Sequence, residues 1–311
     1  MEVLKRLGGL ALLGLTACER APNPVDYSEP SAAIHAVVAA GSPVVGVFVA
    51  RFTPGSESPL PVSGADVTFS RAGATFTARE EPGNGSACLG SLLVGFSEVY
   101  PGCYAASVPG GVMTGDRWSV VVRFPTGEIA TGELVVPSPP SLLEPAAGAR
   151  VPVGNFGIQV IDLSAMKVQR LATYRVRWTS PSPKPPRSDL SLLALRVFVG
   201  DRIIPGRNCD LEFAPGPDTD VSDAQDVSVG VYRAECRDPA SSTPEPLHWD
   251  SVEVRVGVAN YDSAYARYAR EVTGAESVQR TRAAAGVHGA LGLFAGAAPA
   301  TRIVMFVPAA P

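Results

Sequence analysis

Arg117-Trp118-Ser119-Val120-Val121-Val122-Arg123-Phe124 decides the fold class. On an extended chain Trp118, Val120, Val122 and Phe124 share one side, and Ser119 and Arg123 point to the other. That is the period of two of a half-buried strand. Pro125-Thr126-Gly127 is a turn sequence, and Glu128 to Val136 reads as the returning strand. Upstream, the β-branched-rich runs His35 to Ala40 and Val44 to Phe52 are split by Gly41-Ser42-Pro43, and Ala65 to Ser70 alternates with Val67 and Phe69 on one face. No helical period appears anywhere in this half.

Downstream, Pro137-Ser138-Pro139-Pro140 breaks the pattern. Proline cannot donate to a strand ladder, so this run marks a boundary between units. A second β pattern follows. Tyr174, Val176 and Trp178 share a face against Arg175 and Arg177. Leu192 to Val199 turns at Gly200-Asp201 into Arg202-Ile203-Ile204, a hairpin signal. Val252, Val254, Val256 and Val258 alternate with Glu253, Arg255 and Gly257. The Pro-, Ser- and Asp-rich stretches 181–190 and 214–226 read as loops. One helix is expected over 262–272, capped by Asp262 and ending near Gly274. It would set Tyr261, Tyr265 and Tyr268 along one face. Residues 273–311 are rich in Gly and Ala and finish in a closing strand, Arg302 to Val307. The expected fold is all-β: two β-sandwiches with one short C-terminal helix.

The N-terminus reads as an export signal. Lys5 and Arg6 precede an apolar run, Leu7 to Leu15, which is followed by Leu15-Thr16-Ala17-Cys18. Crossing a bilayer takes about 20 apolar residues, and this run is shorter. The Leu-Thr-Ala-Cys segment resembles the lipobox of bacterial lipoproteins. That resemblance implies cleavage before Cys18 and a lipid anchor on it. Glu19 stands where an Asp is associated with inner-membrane retention in some bacteria, which favours the outer membrane. Residues 19–30 are polar and Pro-rich and read as a tether.

The chain has five cysteines, and an odd count in an exported protein asks for one with another fate. Lipidation of Cys18 supplies it. The remaining four permit three pairings. The local one, Cys88 with Cys103 and Cys209 with Cys236, is the expectation for an oxidising compartment. The resulting division is a signal peptide over 1–17, lipidated cysteine and tether over 18–30, a first sandwich over 31–137, a second over 138–272, and the segment 273–311.

Charge and motifs limit the chemistry. Cleavage leaves 24 basic and 29 acidic residues of the original 26 and 30, with no basic run. Nucleic acid is therefore not an expected partner. No G-x-S-x-G, H-E-x-x-H or C-x-x-C is present, and His35, His248 and His288 are scattered. No catalytic residue, metal site or cofactor is assigned. Asp218 to Asp223 resembles the start of a calcium loop, yet it lacks the required Gly and Glu and reads as a solvated acidic loop. The Gly-rich stretch Gly286 to Gly296 reads as close strand packing. Tyr261, Tyr265 and Tyr268 are the candidate ligand contacts, although a tyrosine stripe more often packs a helix onto a sheet.

Pro61-Val62-Ser63-Gly64-Ala65-Asp66-Val67-Thr68-Phe69, followed by Pro101-Gly102-Cys103-Tyr104, resembles the carboxypeptidase-regulatory and transthyretin-like β-sandwich modules. Pro139 to Val151 with Arg177-Trp178 resembles the entry and core Trp of fibronectin type III or immunoglobulin-like domains. The whole order is similar to a family of uncharacterised lipoproteins often encoded beside TonB-dependent outer-membrane receptors. The resemblance implies an envelope location and an accessory role to such a receptor, and carries over no catalytic residue. The expected function is a lipid-anchored, non-catalytic binding or adaptor module. The alternatives are an enzyme of unrecognised type acting on envelope polymers and a purely structural envelope protein.

Overall fold

A computed structural model describes residues 31–53, 59–81, 88, 101–153, 172–206, 209–214, 219–236, 250–272 and 284–308. In chain order the first strands are β1 (Ser31–Ala39), β2 (Val44–Phe52), β3 (Leu60–Pro61), β4 (Asp66–Arg71), β5 (Ala74–Thr77), β6 (Arg79–Glu80), β7 (Cys103–Ser107), β8 (Arg117–Arg123) and β9 (Ile129–Val135). Next come β10 (Ser141–Glu144), β11 (Arg150–Val153), β12 (Ala172–Thr179), β13 (Arg187–Val199), β14 (Arg202–Pro205), β15 (Cys209–Ala214), β16 (Thr219–Asp220), β17 (Asp226–Cys236) and β18 (Ser251–Tyr261). The helix α1 (Ser263–Val272) precedes β19 (Ala284–Ala285), β20 (Val287–His288) and β21 (Leu291–Pro308).

The strands form three sheets. The largest runs β14-β13-β18-β21-β1-β2-β7-β6, with β3, β11, β16 and β19 at its margins. The second is β20-β9-β8-β4-β5, and the third is β10-β12-β17-β15. The second sheet packs on one half of the largest. Val67, Phe69, Trp118, Val120 and Val122 meet Ile34, Ala36, Val38, Val45, Val47 and Phe294 in one core. The third sheet packs on the other half, where Leu142, Tyr174, Val176 and Trp178 meet Val252, Val254, Val256, Val258, Val304 and Phe306. The fold is thus all-β, with one short helix among the described residues, and its two lobes share one sheet.

That sharing runs through β21. Its first residues, Leu291 to Ala297, pair in parallel with Ala33 to Ala39 of β1. From Ala297 to Phe306 it pairs antiparallel with Tyr261 to Val252 of β18, and Met305 to Pro308 pairs with β11. At a rise of about 3.3 Å per residue, its 18 residues span roughly 60 Å. The strand starts at Leu291 rather than at the expected Arg302. Within its first part, LGLFAGAAPA, the run from Leu293 to Ala298 is buried on both faces, so it carries no alternation to read. Gly292 is required there, since a Cβ would lie 1.9 Å from the Ile34 carbonyl oxygen.

A second correction concerns 181–190. This stretch was expected to be loop, yet β13 begins at Arg187. Ser188 and Asp189 are polar but buried, Ser188 against the distant Asn260 and Asp189 beside the Arg187 guanidinium. Likewise β16 lies within 214–226, and β17 begins at its last residue.

The motif Pro61 to Phe69 with Pro101 to Tyr104 has a physical explanation that involves Glu80. Its carboxylate accepts hydrogen bonds from Ser63 Oγ at 2.6 Å, from the Gly102 N–H at 3.0 Å, from the Gly64 N–H at 3.3 Å and from the Tyr104 hydroxyl at 3.4 Å. The Tyr104 hydroxyl accepts from the Ala65 N–H and reaches the Val62 carbonyl. Desolvation opposes ionisation of Glu80, but these donors outweigh it and hold the carboxyl below its usual range. Nothing in the local sequence singled out Glu80. Glu80→Gln removes the charge-assisted bonds and should cost about 1–3 kcal/mol in chemical denaturation at pH 7. The folded-state pKa lies below the unfolded one, so wild-type stability is complete above the unfolded value and falls as pH drops through the folded value. The variant's loss should shrink over that range.

Candidate functional site

The second sheet turns a polar row outward. Ser70 on β4 stands opposite Ser119 on β8, and Ser119 opposite Glu133 on β9. The start of α1, at Asp262, Ser263 and Ala264, walls the β9 side of this row, and the turn at Ala72-Gly73 closes the other. A cleft of about 500 Å³ lies between them, with Arg71 and Arg117 at one end.

The two arginines differ in freedom. Arg71 Nη1 donates to the Gly111 carbonyl at 2.6 Å and to Asp116 Oδ2 at 3.0 Å, and its guanidinium lies 5.1 Å from the Trp118 ring centroid. It is fixed in place. Arg117 is exposed and makes no ion pair among the described residues. With Glu133 and the serine hydroxyls it offers a cation, an anion and hydroxyls on a rigid sheet. Such a surface can hold a polar ligand by several directed hydrogen bonds.

Asp262 ties this wall to the shared strand. Its carboxylate accepts from the Tyr265 N–H at 3.0 Å, as the helix cap should, and from the Gly296 N–H at 2.8 Å. Its own N–H donates to the Gly296 carbonyl at 3.1 Å. Burial pushes its carboxyl up, and the N–H donors only partly offset this. Gly296 also lets the end of β9 come close to β21, since a Cβ there would lie 2.6 Å from the Val135 carbonyl oxygen.

The tyrosines do not form one helix face. Tyr261 is the last residue of β18 and is buried, because the helix begins two residues later at Ser263. Its ring stacks on Tyr265 with centroids 3.9 Å apart. Arg187 lies 5.8 Å from the Tyr265 centroid, and Tyr268 meets His35 edge-on at 5.9 Å. Both helical tyrosines are half-buried, and Ala264, Ala266 and Ala269 pack inward. The helix therefore covers Val37, Leu293, Ala295 and Ala297 on the outer face of the shared sheet.

Beside the helix lies a polar junction that composition disguised as loop. Arg187 Nε lies 2.7 Å from Asp189 Oδ1, and Arg187 Nη1 lies 3.4 Å from Asp220 Oδ2. Ser188 Oγ donates to Asn260 Oδ1 at 2.8 Å, and Asn260 Nδ2 donates to the Ser138 carbonyl at 2.8 Å. The Pro-rich boundary is thus held to the body. Of the acidic run 218–223, Asp220 accepts from Ser222 and Asp223 lies 3.6 Å from Lys184; Asp218 is outside the described residues.

Cys88 and Cys103 are buried and joined by a disulfide. Cys209 and Cys236 stand directly opposite in the β15–β17 register. Cys18 lies outside the described residues, as do the signal and tether, 1–30.

No protein-family model matches the chain, and no curated protein is detectably similar to it. Among solved structures, a two-domain fibronectin type III segment of chicken tenascin aligns at TM-score 0.19 and 8% identity, covering 75% of this chain and 91% of that one. The Yersinia pseudotuberculosis adhesin InvE aligns at TM-score 0.20 and 16% identity, covering 74% and 55%. A bacterial ice-binding adhesin aligns at TM-score 0.18 and 14% identity, covering 90% and 65%.

His35 provides a test of the helix packing. Burial beneath Tyr268 pushes its imidazole from 6.5 down to about 4. The unfolded chain takes up a proton near 6.5 and the folded one near 4, so this stability is complete above pH 6.5 and is lost as pH falls toward 4. His35→Phe should flatten the slope of denaturation midpoint against pH between 6.5 and 5, a window above most carboxylate titration.

Proposed function

We propose that this chain is a lipid-anchored envelope protein that acts as a non-catalytic binding or adaptor module, serving a receptor of the outer membrane. The observation that carries the reading is the buried Cys88–Cys103 disulfide, which fits an oxidising compartment. With Cys209 and Cys236 opposed in register, the fifth cysteine is Cys18, within Leu15-Thr16-Ala17-Cys18. An anchor there attaches just ahead of β1 and leaves the cleft beside α1 on a stiff body. The cleft's hydroxyls, with Arg117 and Glu133, suit a polar partner surface or glycan-like ligand better than an apolar one.

Two experiments test the two halves of this reading. Cys18→Ala should abolish fatty-acid labelling and shift the exported protein from the membrane to the soluble fraction. Continued membrane partitioning of that variant contradicts the anchor. A photo-crosslinking residue at Ser119 in intact cells should give a discrete adduct, whereas one at exposed Ile203 on β14 should not. Equal patterns at both positions contradict the cleft as a partner site and favour a purely structural role.

A further inference from the structure

We propose that β1 and β21 form a mechanical clamp, which carries tension between an N-terminal attachment and the second lobe. For the point at which force enters, this rests on the anchor proposed at Cys18; the clamp itself is a property of the fold.

The geometry follows from the register. Ala33 lies beside Leu291 and Ala39 beside Ala297, and both strands run the same way. Beyond Ala297, β21 continues into the second lobe along β18. Ser31 therefore sits at the pole of the first lobe farthest from the second. A pull on the tether, resisted at the second lobe, acts along the strand axis and slides β1 past β21. Sliding loads the whole ladder from Ala33 to Ala39 together, whereas peeling breaks one rung at a time. The antiparallel rungs from Ser31↔Phe52 to His35↔Phe48 resist the same motion on the other edge of β1. The Ala40 N–H to Ala297 carbonyl bond, at 2.8 Å, closes the ladder at the junction.

Burial strengthens the clamp. Ile34, Ala36 and Val38 face the first core, and Val37 lies beneath α1. Water therefore has little access to replace these hydrogen bonds as they stretch, and in a low dielectric they are stronger than exposed ones. The two ends of the fold's longest strand are gripped in different ways that serve the same load. The β1 end is held by parallel pairing and the far end by β18 and β11. Asp262 adds a lock at mid-strand through Gly296. The disulfide from Cys88 to Cys103 ties the start of the neighbouring β7, which pairs with β2, to a second segment of the chain.

Single-molecule pulling on the full exported chain tests the proposal by direction. In one arrangement the handles sit on the N-terminal tether and after Pro311, which shears β1 against β21. In the other they sit on the tether and at Thr53, beside the Ser31↔Phe52 rung, which unzips β1 from β2. Rupture force reports the unfolding rate under load, and at one loading rate the first arrangement should require at least about twofold more force. Equal forces, or a weaker end-to-end arrangement, overturn the clamp. The handles replace the lipid, so the outcome is independent of Cys18. A strong clamp beside a failed Cys18→Ala test would remove the anchor alone.

Discussion

The backbone of Leu291–Pro308 has hydrogen-bonding groups on both edges, and no single lobe supplies strands for all of them. β1 fills one edge in the first lobe and β11 in the second; β19 and then β18 fill the other. Buried N–H and C=O groups left without partners cost stability, so each lobe completes itself only when this strand is seated in both. The same strand gives Phe294 to the first core and Val304 and Phe306 to the second. The two sandwiches are therefore parts of one structure rather than two independent bodies joined by a linker.

That demand explains features that look unrelated one at a time. A strand with neighbours on both edges and cover on both faces has little room, and its residues are correspondingly small from Ala295 to Ala300. Gly292 and Gly296 stand where other backbones come within Cβ distance. The helix provides the cover, and Asp262 provides its attachment, reading both the helix N-terminus and the Gly296 peptide. The cleft with Ser70, Ser119 and Glu133 is a by-product of the same arrangement, because its helical wall is held in place by β21.

The strands with strict alternation were legible in the sequence. Trp118, Val120 and Val122, and the four valines from Val252 to Val258, face their cores as period two requires. The cap at Asp262 was legible because capping depends on local chemistry. Three features were not. The first half of β21 carries no alternation, Ser188 is polar yet buried against the distant Asn260, and Glu80 gathers donors from segments 16 to 24 residues away. Each depends on non-local contacts that spacing does not encode. Tyr261 looked helical because its spacing to Tyr265 is four, but the strand-to-helix switch falls between them. The polar row that lines the cleft was invisible for a related reason: Ser70, Ser119 and Glu133 are ordinary outward residues until strand register aligns them.

The most direct test of the shared strand is whether damage in one lobe is felt in the other. Trp118 and Trp178 are buried in different cores and report on each lobe separately. Phe294→Ala removes a fully buried side chain from the first core, at an expected cost of about 3–5 kcal/mol. In single-tryptophan versions, denaturant unfolding should be one coincident transition, and Phe294→Ala should lower the midpoint seen by Trp178 as much as that seen by Trp118. A Trp178 transition that stays in place while the Trp118 transition moves would contradict the account.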